Sequence, residues 1–174
     1  MQSRSIDVQI FTLTHRIFGD VFPGAPGLFS YLNRPTESYL EVEDVRLNLL
    51  HKIAEPPERC TRLWLVKREI VAVLVSTRAG LGPSSGMRSG YTKPFPHLVR
   101  ILVGGYELRG QLQSGARLDF GALMVEGENV FLPLFEGRLT ALLFPRAQAE
   151  APAMAFNRAL VNALSLLPRE EREL

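Results

Sequence analysis

The chain has 174 residues, of which 46% are hydrophobic and 22% charged, a balance that excludes disorder throughout and fits a globular protein. Twenty basic against eighteen acidic residues leave a net charge of +2, too small by itself to imply a polyanionic partner. Cys60 is the only cysteine, which excludes an intrachain disulfide and a thiolate metal cluster.

The opening "MQSRSIDVQIF" has no apolar core or small-residue cleavage site of a signal peptide, and no stretch reaches the ~18 apolar residues that a membrane helix needs. A soluble, cytoplasmic protein with no membrane partner is expected.

In chain order, "DVQIFTLT" and "HRIFGDVF" are rich in β-branched and aromatic residues and read as adjoining strands. Pro23, Gly24, Pro26 and Gly27 break that pattern, and "LFSYLNR" is too short for more than one or two helical turns. "SYLEV" and "VRLNLLH" then suggest a hairpin about Glu43-Asp44, and "TRLWLVKREIVAVLVST" reads as strand, turn at Lys67-Arg68-Glu69, strand. Residues 78–97 hold glycines, prolines, serines and unbalanced basic residues, the composition of a linker or an ordered basic loop.

Beyond it "LVRILV" and "YELRGQL" meet across Gly104-Gly105, and "NVFLPLF" and "RLTALLF" across Glu136-Gly137. In the last segment Phe156, Leu160, Leu164 and Leu167 fall at helical spacing, which predicts a C-terminal helix ended by Pro168 and followed by a charged tail.

The two halves repeat each other. Val8, Ile10, Gly19, Gly24, Ala25, Phe29 and Leu32 match Val99, Ile101, Gly110, Gly115, Ala116, Phe120 and Leu123 at an offset of 91. Leu40, Arg46, Leu47 and Leu50 match Leu132, Arg138, Leu139 and Leu142 at 92. Matched glycines weigh more than matched leucines, because glycine often marks a special backbone conformation. The expectation is a mainly β protein of two related small antiparallel modules plus a C-terminal α-helix. The first module spans residues 1–77, the linker or loop 78–97, the second module 98–146, and the helix with its tail 147–174. The halves are small for independent cores, which favours one shared pseudo-symmetric domain.

No catalytic constellation appears. His15, His51 and His97 belong to no metal-binding spacing, and with one cysteine a zinc site has no ligand set. "GPSSGMRSG" lacks the Lys-Ser/Thr ending of a phosphate loop, and no nucleophile elbow occurs. Glu41, Glu43 and Asp44 read as a solvated strand face. No enzyme activity and no cofactor are expected. Trp64 lies three residues before Lys67-Arg68, so an aromatic platform beside a basic turn is one nucleic-acid arrangement.

"VRILVGGYELRGQL", Val99 to Leu112, resembles the first half of the Sm-like small β-barrel, and "LWLVKREIVAV", Leu63 to Val73, is similar to its second half. The same pattern also fits uncharacterised bacterial β-domain families. The resemblance implies a strongly bent five-stranded antiparallel sheet, often assembled into rings through edge strands, which in some members binds single-stranded RNA. Arg68 stands where that family has a glycine, and no Asp and Asn pair suited to holding a base follows the pattern.

Two functions follow as expectations. The first is a non-catalytic interaction or assembly module that self-associates or takes a protein partner through sheet edges or an apolar face. The alternative is a weak single-stranded nucleic-acid binder using Trp64, Lys67, Arg68, Arg78, Arg88 and Lys93.

Overall fold

The computed structural model describes residues 4–83 and 94–168. The first half holds β1 (Ile6–Thr12), β2 (His15–Val21), α1 (Leu28–Leu32), β3 (Tyr39–Leu49), β4 (Glu58–Val66) and β5 (Ile70–Val75). A short helix α2 (Arg78–Leu81) follows, then β6 (Phe95–Val103), β7 (Tyr106–Ser114), β8 (Phe131–Ala141), β9 (Gln148–Asn157) and β10 (Val161–Leu166). All ten strands form one sheet in the order β10-β6-β7-β8-β9-β5-β1-β2-β3-β4. Every neighbouring pair is antiparallel.

The order β5-β1-β2-β3-β4 recurs as β10-β6-β7-β8-β9. Registers recur with it. Ile10 faces Val73 across β1 and β5, and Ile101 faces Leu164 across β6 and β10, both residues displaced by 91. Tyr39 faces Val66 across β3 and β4, and Phe131 faces Asn157 across β8 and β9, displaced by 92 and 91. The fourth and fifth strands of each half are joined by one 3-10 turn, Lys67–Glu69 and Arg158–Leu160.

Each half bends at a bulge on its second strand. Register slips between Phe18 and Asp20 on β2 and between Arg109 and Gln111 on β7, at Gly19 and Gly110. A Cβ on Gly19 would lie 2.6 Å from the Glu43 carbonyl oxygen, and one on Gly110 2.9 Å from that of Phe135. Opposite them Asp44 and Glu136 take φ of 50° and 47°, the left-handed conformation that lets an extra residue turn the strand. The turns expected at Glu43-Asp44 and Glu136-Gly137 are therefore kinks inside continuous strands, because β3 and β8 keep their partners on both sides of the bend.

The halves meet along β5 and β9, with Ala72 to Val75 facing Phe156 to Ala153. All six residues of β5 are buried, which explains its unbroken apolar run. Val73, Val75, Ala153 and Ala155 enter one apolar cluster with β1–β3 and α1. Leu74, Val71, Met154 and Phe156 enter the other, with β6–β8. Each cluster thus takes residues from both halves. Tyr106 adds a second tie: its hydroxyl donates to the Thr12 carbonyl at 2.5 Å and its ring packs edge-on against Phe11 at 5.7 Å.

The expected C-terminal helix does not form. Its residues make β9, a turn and β10. The helical spacing of Phe156, Leu160, Leu164 and Leu167 is real, but it runs over β9, the turn, β10 and the residue after it, and Phe156, Leu160 and Leu164 reach the same apolar cluster from those separate elements. β9 itself, interior between β8 and β5, needs no alternation and tolerates alanine, so its composition does not oppose a strand. Nor does the sheet close into a barrel: among the described residues β4 and β10 remain as edges. Of the expected linker, Arg78–Leu81 is α2 and Phe95 to His97 begin β6. No helix among the described residues is long and apolar enough to cross a membrane.

Candidate interaction edges and charged face

Among the described residues β4 pairs only with β3 and β10 only with β6, so each carries a row of backbone N–H and C=O groups without a strand partner. These edges are the fourth strand of the first half and the fifth strand of the second. The β9–β5 joint unites the fourth strand of the second half with the fifth of the first. The two edges are therefore the counterparts of strands that already pair inside the molecule.

Apolar side chains line both edges. Trp64 on β4 is 58% exposed and Leu166 on β10 59%, with Val66 also exposed. On β4, Arg62 binds Glu41 and Glu43, each at 3.1 Å, and lies over the Trp64 ring at 5.9 Å. That accounts for the acidic "EVED" stretch as an ion-paired strand face. Beside β10 a cavity of about 430 Å³ is walled by Phe95, Leu98, Leu166 and Leu167 among others.

The residues expected around the basic turn divide. Lys67 is only 7% exposed; its Nζ donates to the Tyr31 carbonyl at 2.6 Å and lies over the Tyr31 ring at 5.0 Å. Burial lowers its pKa. Lys67 thus secures the end of α1. Asn33 secures the same end to β8, donating to the Phe131 carbonyl at 3.1 Å and accepting from the Phe131 N–H at 2.8 Å. Arg68 points to solvent and pairs with Glu69 at 3.1 Å. Arg78 pairs with Glu136 at 2.9 Å and lies over Phe135 at 4.9 Å. Trp64 stands on the β4 edge, and Arg88 and Lys93 lie outside the described residues. Sharing a stretch of sequence does not make the described four one surface.

A different charged face emerges on the outside of the sheet. Gln9, Phe18, Arg46 and Arg59 are successive cross-strand neighbours over β1 to β4. Arg16 and Arg46 lie over the Phe18 ring at 4.8 and 5.5 Å. The Gln9 amide oxygen, oriented to satisfy both groups, accepts from Arg16 Nε and Nη2 at 2.5 and 2.7 Å. Burial lowers the Arg16 pKa. In the second half the equivalent row is Arg100, Arg109, Arg138 and Glu150. Glu107 there accepts from Arg100 Nε at 2.6 Å and from Arg109 Nε at 2.8 Å. Burial raises the Glu107 pKa, but these two bonds outweigh it and leave the carboxyl below its ordinary range.

No group of three or more His, Cys, Asp or Glu among the described residues is placed to hold a metal ion. Comparison with known proteins finds no matching family model, no similar curated protein and no similar solved structure.

Proposed function

We propose that the chain is a duplicated five-stranded module whose role is assembly, and that copies join head to tail through β4 of one and β10 of the next. One observation carries the reading: the β9–β5 joint is a working pairing of a fourth strand with a fifth strand, and β4 and β10 are the same two strands left open.

Transferring the internal register by the repeat offset gives the expected contacts. Val73 faces Ala155 inside the chain, so Leu164 of one copy faces Trp64 of another. Leu74 faces Met154, so Ser165 faces Leu63. Trp64 takes the place of an alanine, and the same transfer sets Leu166, which walls the cavity beside β10, opposite Arg62, two residues from Trp64. A joint between two different surfaces is heterologous, so it extends until the rotation per copy closes a ring. The Sm-like resemblance is compatible with this reading and does not carry it.

The test is a cysteine pair, Trp64→Cys with Leu164→Cys in a Cys60→Ser background, examined beside the mass of the native protein in solution. The expected result is self-association at micromolar concentration and intermolecular disulfides from this pair. A chain that stays monomeric at high micromolar concentration would overturn the reading.

A further inference from the structure

We propose that the outer face of β1–β4 around Phe18 binds the phosphates of single-stranded nucleic acid through Arg16, Arg46 and Arg59. Equivalent positions of the two halves differ in charge. Arg46 and Arg59 face each other across β3 and β4, and like charges placed directly opposite destabilise a sheet. In the second half the same pair is Arg138 and Glu150, an ion pair at 3.7 Å. Position 16 holds arginine where its equivalent, 107, is the glutamate that neutralises Arg100 and Arg109.

Summed over the five positions, the second half carries three arginines and two glutamates, or +1, and the first half three arginines with Gln9 and Phe18, or +3. Among the described residues no carboxylate lies within salt-bridge distance of Arg16, Arg46 or Arg59. Acids bound the patch at one end: Asp7, Asp20 and Glu43 are successive cross-strand neighbours over β1 to β3, and Asp44 lies two residues before Arg46.

The geometry of the cations is suited to phosphate. A guanidinium lying flat on an aromatic ring keeps its N–H groups directed outward in its own plane, and this preorganisation lowers the ordering cost of a bidentate phosphate contact. Phe18 has two guanidinia over its ring, with Arg16 and Arg46 Cζ at 4.8 and 5.5 Å from the centroid. Arg16 already spends two donors on Gln9, so its remaining donors serve the ligand while Gln9 holds its position. A row of cations spread over neighbouring strands matches the repeated charge of an extended phosphodiester chain better than a single anion. Arg16 and Arg46 stand on interior strands, and Arg59, though on β4, lies outside the β4 residues that the transferred register pairs, so the two readings fail independently.

The experiment is fluorescence anisotropy of labelled single-stranded RNA and DNA oligomers over a range of salt concentrations. Native protein is compared with Arg46→Gln, with the double variant Arg46→Gln/Arg59→Gln, and with Arg138→Gln as the equivalent change on the other half. Binding to the native protein should weaken with salt, and the double variant should reduce the slope of log affinity against log salt by about 2, one per phosphate contact. Arg138→Gln should leave affinity and slope in place. Absence of binding at ~50 mM salt, equal losses from Arg46→Gln and Arg138→Gln, or binding to anionic lipid vesicles and not to oligomers would each overturn the proposal. Thermal unfolding of each variant, and retention of its assembly state, separate lost binding from lost structure.

Discussion

The two halves share strand order, register and bulge, yet differ on the outer face and at the position flanking the joint. In the second half Glu107 lies between two arginines and Glu150 faces a third. In the first half the corresponding positions are Arg16 and Arg59, and a phenylalanine replaces one of the arginines. Backbone geometry is thus repeated where the sheet must bend, and side-chain chemistry is free to diverge where the sheet meets water. A second contrast concerns strand position. β9 is interior and carries small buried residues, Ala153 and Ala155, while its counterpart β4 is an edge with Arg62 and Trp64 in their places.

The largest expected effect comes from erasing that second contrast. Ala153→Arg installs in the interior joint the residue type that its counterpart carries at the edge. Ala153 is fully buried against β5, so the new charge has no partner there. An uncompensated buried charge of this kind costs about 3–5 kcal/mol. Denaturant unfolding should show that loss, and a variant of native stability would mean that the joint opens readily to water.

Next in size is the bulge. Gly19→Ala places a Cβ 2.6 Å from both the Glu43 carbonyl oxygen and Val42 Cγ1, whereas Gly110→Ala gives 2.9 Å to the Phe135 oxygen and to Leu134 Cγ. Overpacking of a well-packed site costs roughly 1–3 kcal/mol. Both substitutions should destabilise, with Gly19→Ala the more severe. The reverse order would show that the first bulge relaxes more easily than the second.

The smallest effect tests the charged face. Arg59→Glu gives Arg46 an opposite charge across the strand pair, as Arg138 already has. Native stability should rise by about 0.2–1 kcal/mol, the range for cross-strand charge pairs. The gain should shrink in high salt, because both groups are exposed. A fall in stability would show that the two arginines do not strain the sheet. Combined with weaker oligonucleotide binding, a gain would mark Arg59 as retained for the ligand at a cost to the fold.

Strand content was legible because β-branched and aromatic runs are bounded by turn residues: β1 with β2 and β6 with β7 pair where those runs lie, and β4 and β5 form on either side of the Lys67–Glu69 turn without pairing with each other. The buried run of β5 was readable for the same reason. The site was less legible. Lys67 and Arg68 are adjacent in sequence, yet one side chain turns under α1 and the other out to solvent, a divergence that adjacency cannot report. Arg16, Arg46 and Arg59 are far apart in the chain and meet only through the pairing of three strands. The one available signal was comparison of repeat-equivalent positions, Glu107 with Arg16 and Glu150 with Arg59, and it acquires meaning only once both positions are known to share a face.

By itself the sequence determined a mainly β chain, the positions of most strands, the short helix α1 and the recurrence of Gly19 at Gly110. These are local properties: apolar runs, turn chemistry, and glycines at places that exclude a Cβ. Tertiary structure decided that residues 148–166 are strands, that Glu43-Asp44 and Glu136-Gly137 bend strands without ending them, and that β5 and β9 weld the halves into one sheet. A segment with apolar residues at helical spacing can be drawn into a sheet when two strand partners satisfy its backbone and two apolar clusters bury its faces. Those partners are distant in sequence, so no local pattern contains them.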